Sequence, residues 1–125
     1  MLRRGCIATA ALVILLLAMT GSWFVWRASD ASLPPLAKGM PSRFDEGNRQ
    51  FKRRIEKLYP PGSSEDRLIS DLRSQGFDVT LRSNGLSEGI LSRFIGCGDK
   101  QWSVRWDADA NKLKKVYAVY GAICL

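Results

Sequence analysis

One uninterrupted apolar run near the N-terminus constrains this chain more than any other feature. Residues 6–26 read CIATAALVILLLAMTGSWFVW and carry no charged side chain. As a helix that rises about 1.5 Å per residue, the run would measure roughly 31 Å, close to the hydrocarbon core of a bilayer at about 30 Å. Because a helix satisfies its own backbone hydrogen bonds inside lipid, the sequence predicts one membrane-spanning helix.

The charges around the run predict its orientation. Arg3 and Arg4 precede it, and tryptophans, which favour the headgroup region, lie at its far end before Arg27. Positive residues are retained on the cytoplasmic side, so we expect a cytoplasmic N-terminus. The predicted location is the bacterial inner membrane, with a single-pass signal-anchor over residues 1–27 and the remaining chain in the periplasm.

A cleaved signal peptide is the alternative interpretation of this segment. Ser29 and Ala31 are small residues at the spacing that a signal peptidase reads. The apolar run, however, is longer than the usual core of about 7–15 residues in a signal peptide. Cys6 lies at the start of the run, before its apolar core, whereas a lipoprotein cysteine would follow that core, so the sequence does not fit a lipoprotein.

The composition changes after the run and divides the chain. Residues 28–41 read ASDASLPPLAKGMP, and such a Pro-rich segment without an apolar period predicts a flexible linker. Residues 42–125 have the mixed composition of a soluble protein. Within a chain of 125 residues, they leave room for one small periplasmic domain.

Two short helices are predicted at the start of this domain. The first begins at Ser42, with Asp45 completing a capping arrangement, and ends before Pro60. Its apolar face consists of Phe44, Phe51, Ile55 and Leu58. The second begins at Ser63, and Gly76 suits the left-handed residue that follows a helix end.

The apolar period then changes to two, which predicts strands. Residues 77–82 alternate, as do residues 102–107 and 113–120, with a polar loop over 107–112. Residues 90–95 fit either a short strand or a helical turn. The predicted fold class is α+β: after the transmembrane helix, two helices pack on a three- or four-stranded antiparallel sheet.

Two cysteines lie on the predicted periplasmic side. Cys97 and Cys124 are equidistant from a point between Ala110 and Asn111, near the centre of the predicted hairpin. Paired residues of a hairpin share that property, and the periplasm is oxidising. We therefore expect a structural disulfide between Cys97 and Cys124.

Helix one also carries a basic cluster, consisting of Arg49, Lys52, Arg53, Arg54 and Lys57. One interpretation is contact with anionic lipid headgroups or an acidic partner. The other is a solvated face whose bases complement the negative end of the helix dipole. The sequence leaves both interpretations open.

Composition argues against several function classes. The chain has no histidine, so it lacks the commonest general base and a favoured metal ligand. We expect no catalytic residues, no metal site, no cofactor and no small-molecule substrate. A nucleic-acid partner is not expected on the periplasmic side, despite a net charge of +7.

The order of elements resembles a known family. Gly62-Ser63-Ser64 opens a short helix, Gly76-Phe77 closes it, and an aromatic hairpin runs from Trp102 to Tyr120. In this order of elements, residues 43–125 resemble the small envelope domains of the SmpA/OmlA type, which occur in lipoproteins of the outer-membrane barrel assembly machinery. They also resemble the related β-lactamase-inhibitor-like fold. The resemblance implies a two-helix-then-sheet domain in the bacterial envelope and identifies no functional residues.

These observations predict a non-enzymatic protein with a single membrane span. Its periplasmic domain would bind another envelope protein through the free face of the sheet or through its loops. The alternative is an inhibitor or immunity protein that neutralises an enzyme in the periplasm.

Overall fold

The computed structural model describes the backbone of residues 2–95 and 98–123, and the side chains of residues 7–24, 32–94 and 98–122. The chain forms two compact units, Met1–Leu33 and Pro34–Leu125. The first is a single helix. The second contains two helices and a four-stranded antiparallel sheet. The predicted α+β class is therefore correct, with four strands.

The first unit is the helix α1, Leu2–Ala31. Its stretch Ile7–Phe24 has a mean hydropathy of 2.0, so it is long and apolar enough to cross a membrane, a property that signal sequences share. Thr20 is accommodated in this stretch because its hydroxyl donates to the carbonyls of Leu16 (2.9 Å) and Leu17 (3.1 Å). The helix continues to Ala31 and so includes residues 28–31, the first four of the predicted linker.

The rest of the predicted linker packs into the domain. Leu36 and Ala37 are buried. The Arg54 guanidinium donates to the carbonyls of Pro35, Leu36 and Lys38 at 2.8–3.1 Å. The Leu36 N–H donates to the Gln75 side chain at 2.9 Å. These polar bonds and apolar contacts attach the segment to the helices.

Helix α2 spans Phe44–Leu58 and buries Gly47, Phe51 and Ile55. The predicted cap at Ser42 is wrong. The N-cap residue is Arg43, which makes no side-chain cap bond. The Asp45 carboxylate instead accepts from the Arg43 guanidinium at 3.1 Å, and this ion pair replaces the expected arrangement.

Helix α3 spans Glu65–Ser74 and begins one residue later than predicted, because Ser64 is the N-cap and accepts from the Arg67 N–H. Its C-terminal closure agrees with the sequence. Gly76 has φ +84°, and the Phe77 N–H donates to the Leu72 carbonyl at 3.0 Å.

The sheet is a meander of strands in the order β1-β2-β3-β4. The strands are β1 (Asp78–Thr80), β2 (Ser87–Ile95), β3 (Gly98–Asp109) and β4 (Lys112–Ile123). The ambiguous residues 90–95 are therefore a strand. The six-residue polar loop predicted over 107–112 is wrong, since only Ala110 and Asn111 connect β3 to β4, both at positive φ (49° and 62°). That backbone defines a tight turn whose twist suits a hairpin.

A bulge in β4 keeps its apolar side chains on one face. Ala108 lies opposite Leu113 and Asp107 opposite Lys115, so Lys114 is an extra residue without a partner across the ladder. The extra residue reverses the alternation. As a result, Leu113 shares the buried face with Ala118 and Tyr120.

The core lies between this face and the two helices. Leu72 of α3 packs against Gly89 of β2, where a Cβ would lie only 2.9 Å from the leucine methyl. Trp102 stacks on Tyr120 with ring centroids 5.1 Å apart. Trp106 is also fully buried, and its indole N–H donates to Glu65 at 2.9 Å. Both helices therefore cover one face of the sheet and leave the other open.

Candidate interaction surface

The open face of the sheet is formed by the side chains of β2, β3 and β4 that alternate with the core residues. Its central part is a shallow groove of about 600 Å³. The groove is lined by Leu86, Glu88, Ile90, Gln101, Ser103, Arg105, Tyr117 and Val119. We call this set the open-face groove.

An ion pair forms the polar part of the open-face groove. The Arg105 Nε donates to Glu88 Oε1 at 2.8 Å, and the Ser103 hydroxyl donates to the same oxygen at 3.4 Å. The hydrogen bond from Arg105 lowers the pKa of the Glu88 carboxyl below its usual value. The Glu88 side chain is 15% exposed and that of Arg105 58%. The pair therefore fixes one guanidinium on the surface, with its charge balanced locally.

Apolar side chains surround this pair. Tyr117 and Val119 are 47% and 57% exposed, and Ile90 is half-buried between them and β1. Phe94, on the same face of β2, is 77% exposed. Large exposed apolar groups next to a fixed arginine and a tyrosine are typical of the central part of a protein–protein interface.

The residues of the predicted basic cluster on α2 differ in their contacts. The Arg54 guanidinium donates to the carbonyls of Pro35, Leu36 and Lys38, which attaches this segment to α2. Arg49 lies 4.0 Å from Asp45, and Lys52 lies 4.0 Å from Glu56.

Arg53 and Lys57 are exposed, and neither forms an ion pair within the part of the chain that the structure describes. Acidic residues occupy the first turn of α2, and Lys57 lies in its last turn. This distribution complements the helix dipole. Contact of Arg49, Lys52, Arg53 and Lys57 with lipid or a partner remains a prediction.

Both cysteines of the predicted disulfide lie outside the described residues. The described ladder corrects one premise of that prediction. Asp109 and Lys112 are equidistant from the turn, but the bulge shifts the register by one residue, so that Asp99 lies opposite Ile123. The simple count from the turn therefore does not hold along β3 and β4, and the Cys97–Cys124 bond stays a prediction.

The sequence did not identify the ion pair of the open-face groove. The alternation around Trp102 and Trp106 did place Arg105 on the outer face. Its partner Glu88 could not be assigned because the register of β2 is set by pairing with β3, where Glu88 lies opposite Arg105. Among the residues whose side chains the structure describes, no group of three or more cysteine, aspartate or glutamate residues is placed to hold a metal ion.

Comparison of the chain with protein-family models, with curated proteins and with solved structures found no match.

Proposed function

We propose that this is a single-pass protein of the bacterial inner membrane whose periplasmic domain binds another envelope protein and catalyses no reaction. The observation that carries the proposal is the open-face groove, an exposed apolar surface built around the fixed Glu88–Arg105 pair. Exposed apolar patches of this kind mark sites of protein association.

The composition of the groove supports a protein partner. Tyrosine and arginine are over-represented among the residues that contribute most to binding energy. Arg105 donates through Nε to Glu88, and this bond holds its guanidinium in a defined position. A partner would thus meet a pre-organised polar group with apolar contacts from Tyr117 and Val119 on one side.

Helix α1 supports the membrane part of the proposal through its length and hydropathy. The test is a reporter that is active only outside the cytoplasm, fused after Leu125, together with extraction of the membrane fraction at alkaline pH. We expect an active reporter and a chain that stays with the membrane. A soluble mature protein that begins near Ser32 would contradict the anchor.

The binding part is tested by a photo-crosslinking amino acid at Val119 in the full chain, in living bacteria. We expect one reproducible adduct that disappears when Ile90→Asp is introduced, because a buried carboxylate disfavours association. The same crosslinker at Lys38, which is exposed and outside the open-face groove, serves as the control. The proposal is contradicted if both positions give the same adducts.

The identity of the adduct decides between the two interpretations of the sequence. A resident envelope protein supports the binding function proposed here. A toxin or a lytic enzyme would support the alternative of an inhibitor or immunity protein.

A further inference from the structure

The outer edge of β4, which faces away from β3, is closed at two positions. Near its start, the Leu113 N–H donates to the Ser63 carbonyl at 2.8 Å, and the Gly62 N–H donates to the Leu113 carbonyl at 2.7 Å. Further along, the Tyr120 N–H donates to the Asn48 side chain at 2.9 Å. These bonds show which residues of β4 direct their backbone groups away from β3.

Two outward positions lie between these two, and one of them is accessible. Backbone direction alternates along a strand, so Val116 and Ala118 point outward in the same way as Tyr120. Ala118 is buried, whereas Val116 is only half-buried. Among the described residues, none donates to or accepts from the outward backbone groups of Val116. Val116 therefore offers one free N–H and one free carbonyl at the sheet edge.

A second groove lies beside this position, with a volume of about 350 Å³. It is lined by Glu56, Tyr59, Pro61, Lys114, Lys115, Val116 and Tyr117. We call it the edge groove. It lies between the C-terminal end of α2 and the first half of β4, beside the unpaired backbone groups of Val116.

The edge groove has an excess of positive charge. Glu56 is its one acidic lining residue, and Lys52 lies 4.0 Å from that carboxylate. Lys114 has only a loose contact of 3.8 Å with Asp109, which is 76% exposed. Lys115 forms no ion pair within the described part of the chain. Ion pairs as exposed as these contribute little, so the lysines are available to an acidic ligand.

We propose that the edge groove binds an extended acidic segment of the partner protein, which adds to β4 as a short fifth strand at Val116. Main-chain hydrogen bonds would provide affinity, and the lysines would select acidic side chains. The inference rests on the proposed function. Tyr117 connects the two surfaces, because its ring lies on the open face and also lines the edge groove.

Charge argues against a second copy of the chain as the occupant. A symmetric antiparallel pair centred on the open position would place Lys115 of each copy diagonally across from that of the other. Such neighbours are about 7–8 Å apart, and like charges at that distance destabilise the pair. The acidic side chains of a partner segment would instead attract Lys115 and stabilise the pairing of the two strands.

The test uses the full chain in neutral detergent micelles and a blocked peptide of alternating glutamate and valine. The control peptide replaces each glutamate by glutamine. We expect the glutamate peptide to bind at least about tenfold more tightly. We also expect it to slow hydrogen exchange at the Val116 amide while exchange at the already bonded Tyr120 amide stays unchanged.

Two variants separate the charge from the backbone contribution. Lys114→Gln with Lys115→Gln should weaken binding of the glutamate peptide about tenfold, whereas Lys38→Gln should leave it unchanged. Val116→Pro removes only an outward N–H at an edge position, which tolerates proline. If that variant does not fold, a peptide N-methylated at its central residue tests the same hydrogen bond.

Four results would overturn the proposal. Equal binding of the two peptides would exclude charge recognition, and an unchanged Val116 amide would exclude strand addition. A doubling of the protein mass in the micelle would identify a second copy as the occupant. A lipid headgroup would be identified if the Val116 signal shifts with vesicles rich in anionic lipid and does not shift with the peptide. Failure of this test would leave the crosslinking test at Val119 unaffected, so the two proposals can fail separately.

Discussion

Gly47 and Tyr120 show how closely α2 approaches the sheet. A Cβ at Gly47 would lie 2.7 and 2.9 Å from two ring carbons of Tyr120. That ring cannot move aside freely because its other face stacks on Trp102. A glycine inside a helix costs about 0.5–1 kcal/mol relative to alanine, and here close packing against the tyrosine explains its presence.

We expect Gly47→Ala to lower the free energy of unfolding by about 1–2 kcal/mol, because overpacking outweighs the gain in helix propensity. The measurement is chemical unfolding of the full chain in detergent. Gly121→Ala is the control, since a Cβ there meets no atom within 4 Å. A Gly47→Ala protein as stable as the wild type would mean that the contact between α2 and β4 is looser than the structure shows.

Tyr59 connects the end of α2 to α3. Its buried hydroxyl donates to Asp71 at 2.6 Å, and the Arg67 guanidinium lies 5.6 Å from its ring centroid. Burial, followed by the hydrogen bond to Asp71, raises the pKa of the Tyr59 hydroxyl well above its ordinary value of 10.0. The folded state therefore favours the protonated tyrosine.

The sign of the pH dependence follows from this shift. Because the folded-state pKa is the higher one, the stability contribution of Tyr59 is complete below the ordinary pKa of 10.0 and is lost as the pH rises further. We expect Tyr59→Phe to cost about 1 kcal/mol at neutral pH and to make the alkaline decline shallower. Burial also raises the pKa of Tyr120, so part of the decline will remain. Tyr117→Phe, at a half-exposed ring, should leave the free energy of unfolding at neutral pH unchanged.

At the scale of elements, the hairpin turn between β3 and β4 caps helix α3. The Asn111 carbonyl accepts from the Glu65 N–H at 3.1 Å, and the Asn111 side chain accepts from the Asp66 N–H at 2.9 Å. The Ser64 hydroxyl also accepts from the Arg67 N–H, so three N–H groups of the first turn are satisfied, two of them by the distant Asn111. The turn and the helix start therefore stabilise each other.

Two substitutions in the turn separate backbone strain from capping. Asn111→Gly keeps the positive φ but removes the bond to Asp66, so we expect a loss of about 1 kcal/mol. Ala110→Gly relieves the cost of a left-handed alanine and should stabilise the protein by about 1 kcal/mol. Thermal unfolding of both variants checks the pair. An Asn111→Gly protein with unchanged stability would show that the side chain does not cap α3.

Arg54 attaches residues 35–38 to the helices. We expect Arg54→Gln to lower the free energy of unfolding by about 1–2 kcal/mol, because three carbonyls lose a charged donor. Hydrogen exchange should also become faster in that segment. Arg53→Gln alters an exposed neighbour and should have no measurable effect on either quantity. Equal effects of the two substitutions would contradict the separation of Arg54 from the rest of the basic cluster.

At the scale of the whole molecule, the chain combines an apolar helix with an α+β domain, and the last strand of that domain ends close to the C-terminus. The described ladder between β3 and β4 continues to the pair Asp99–Ile123. Cys97 and Cys124 are two residues and one residue beyond that pair along the chain. Both cysteines lie outside the described residues, so the Cys97–Cys124 bond remains a prediction from the sequence.

We expect the mature protein to have a mass two hydrogens below that of its reduced form. A disulfide that closes the loop between Cys97 and Cys124 should stabilise the protein by about 3–4 kcal/mol. Cys97→Ser should therefore lower the melting temperature markedly. The control is Cys6→Ser, because Cys6 is predicted to lie on the cytoplasmic side of the membrane. Free reaction of Cys97 and Cys124 with an alkylating reagent in the mature protein would refute the bond.

The sequence by itself determined the features that depend on neighbours along the chain. The burial of Phe51 and Ile55 follows from helical spacing, and the alternation from Trp102 to Trp106 follows from the strand period. The left-handed Gly76 after α3 follows from the conformational freedom of glycine. In each case the physical cause lies within a few residues, so the local sequence pattern is sufficient to predict the feature.

Tertiary structure decided the features whose partners are distant in sequence. Arg54 belongs to the domain because it meets the carbonyls of residues 35–38, and Asn111 caps a helix that begins 46 residues earlier. The bulge at Lys114 exists because Leu113 must reach the core while its backbone pairs with Gly62 and Ser63. The Glu88–Arg105 pair likewise depends on the register between β2 and β3. No periodic pattern in the local sequence indicates these contacts. Each of them depends on which strands and helices meet when the chain folds.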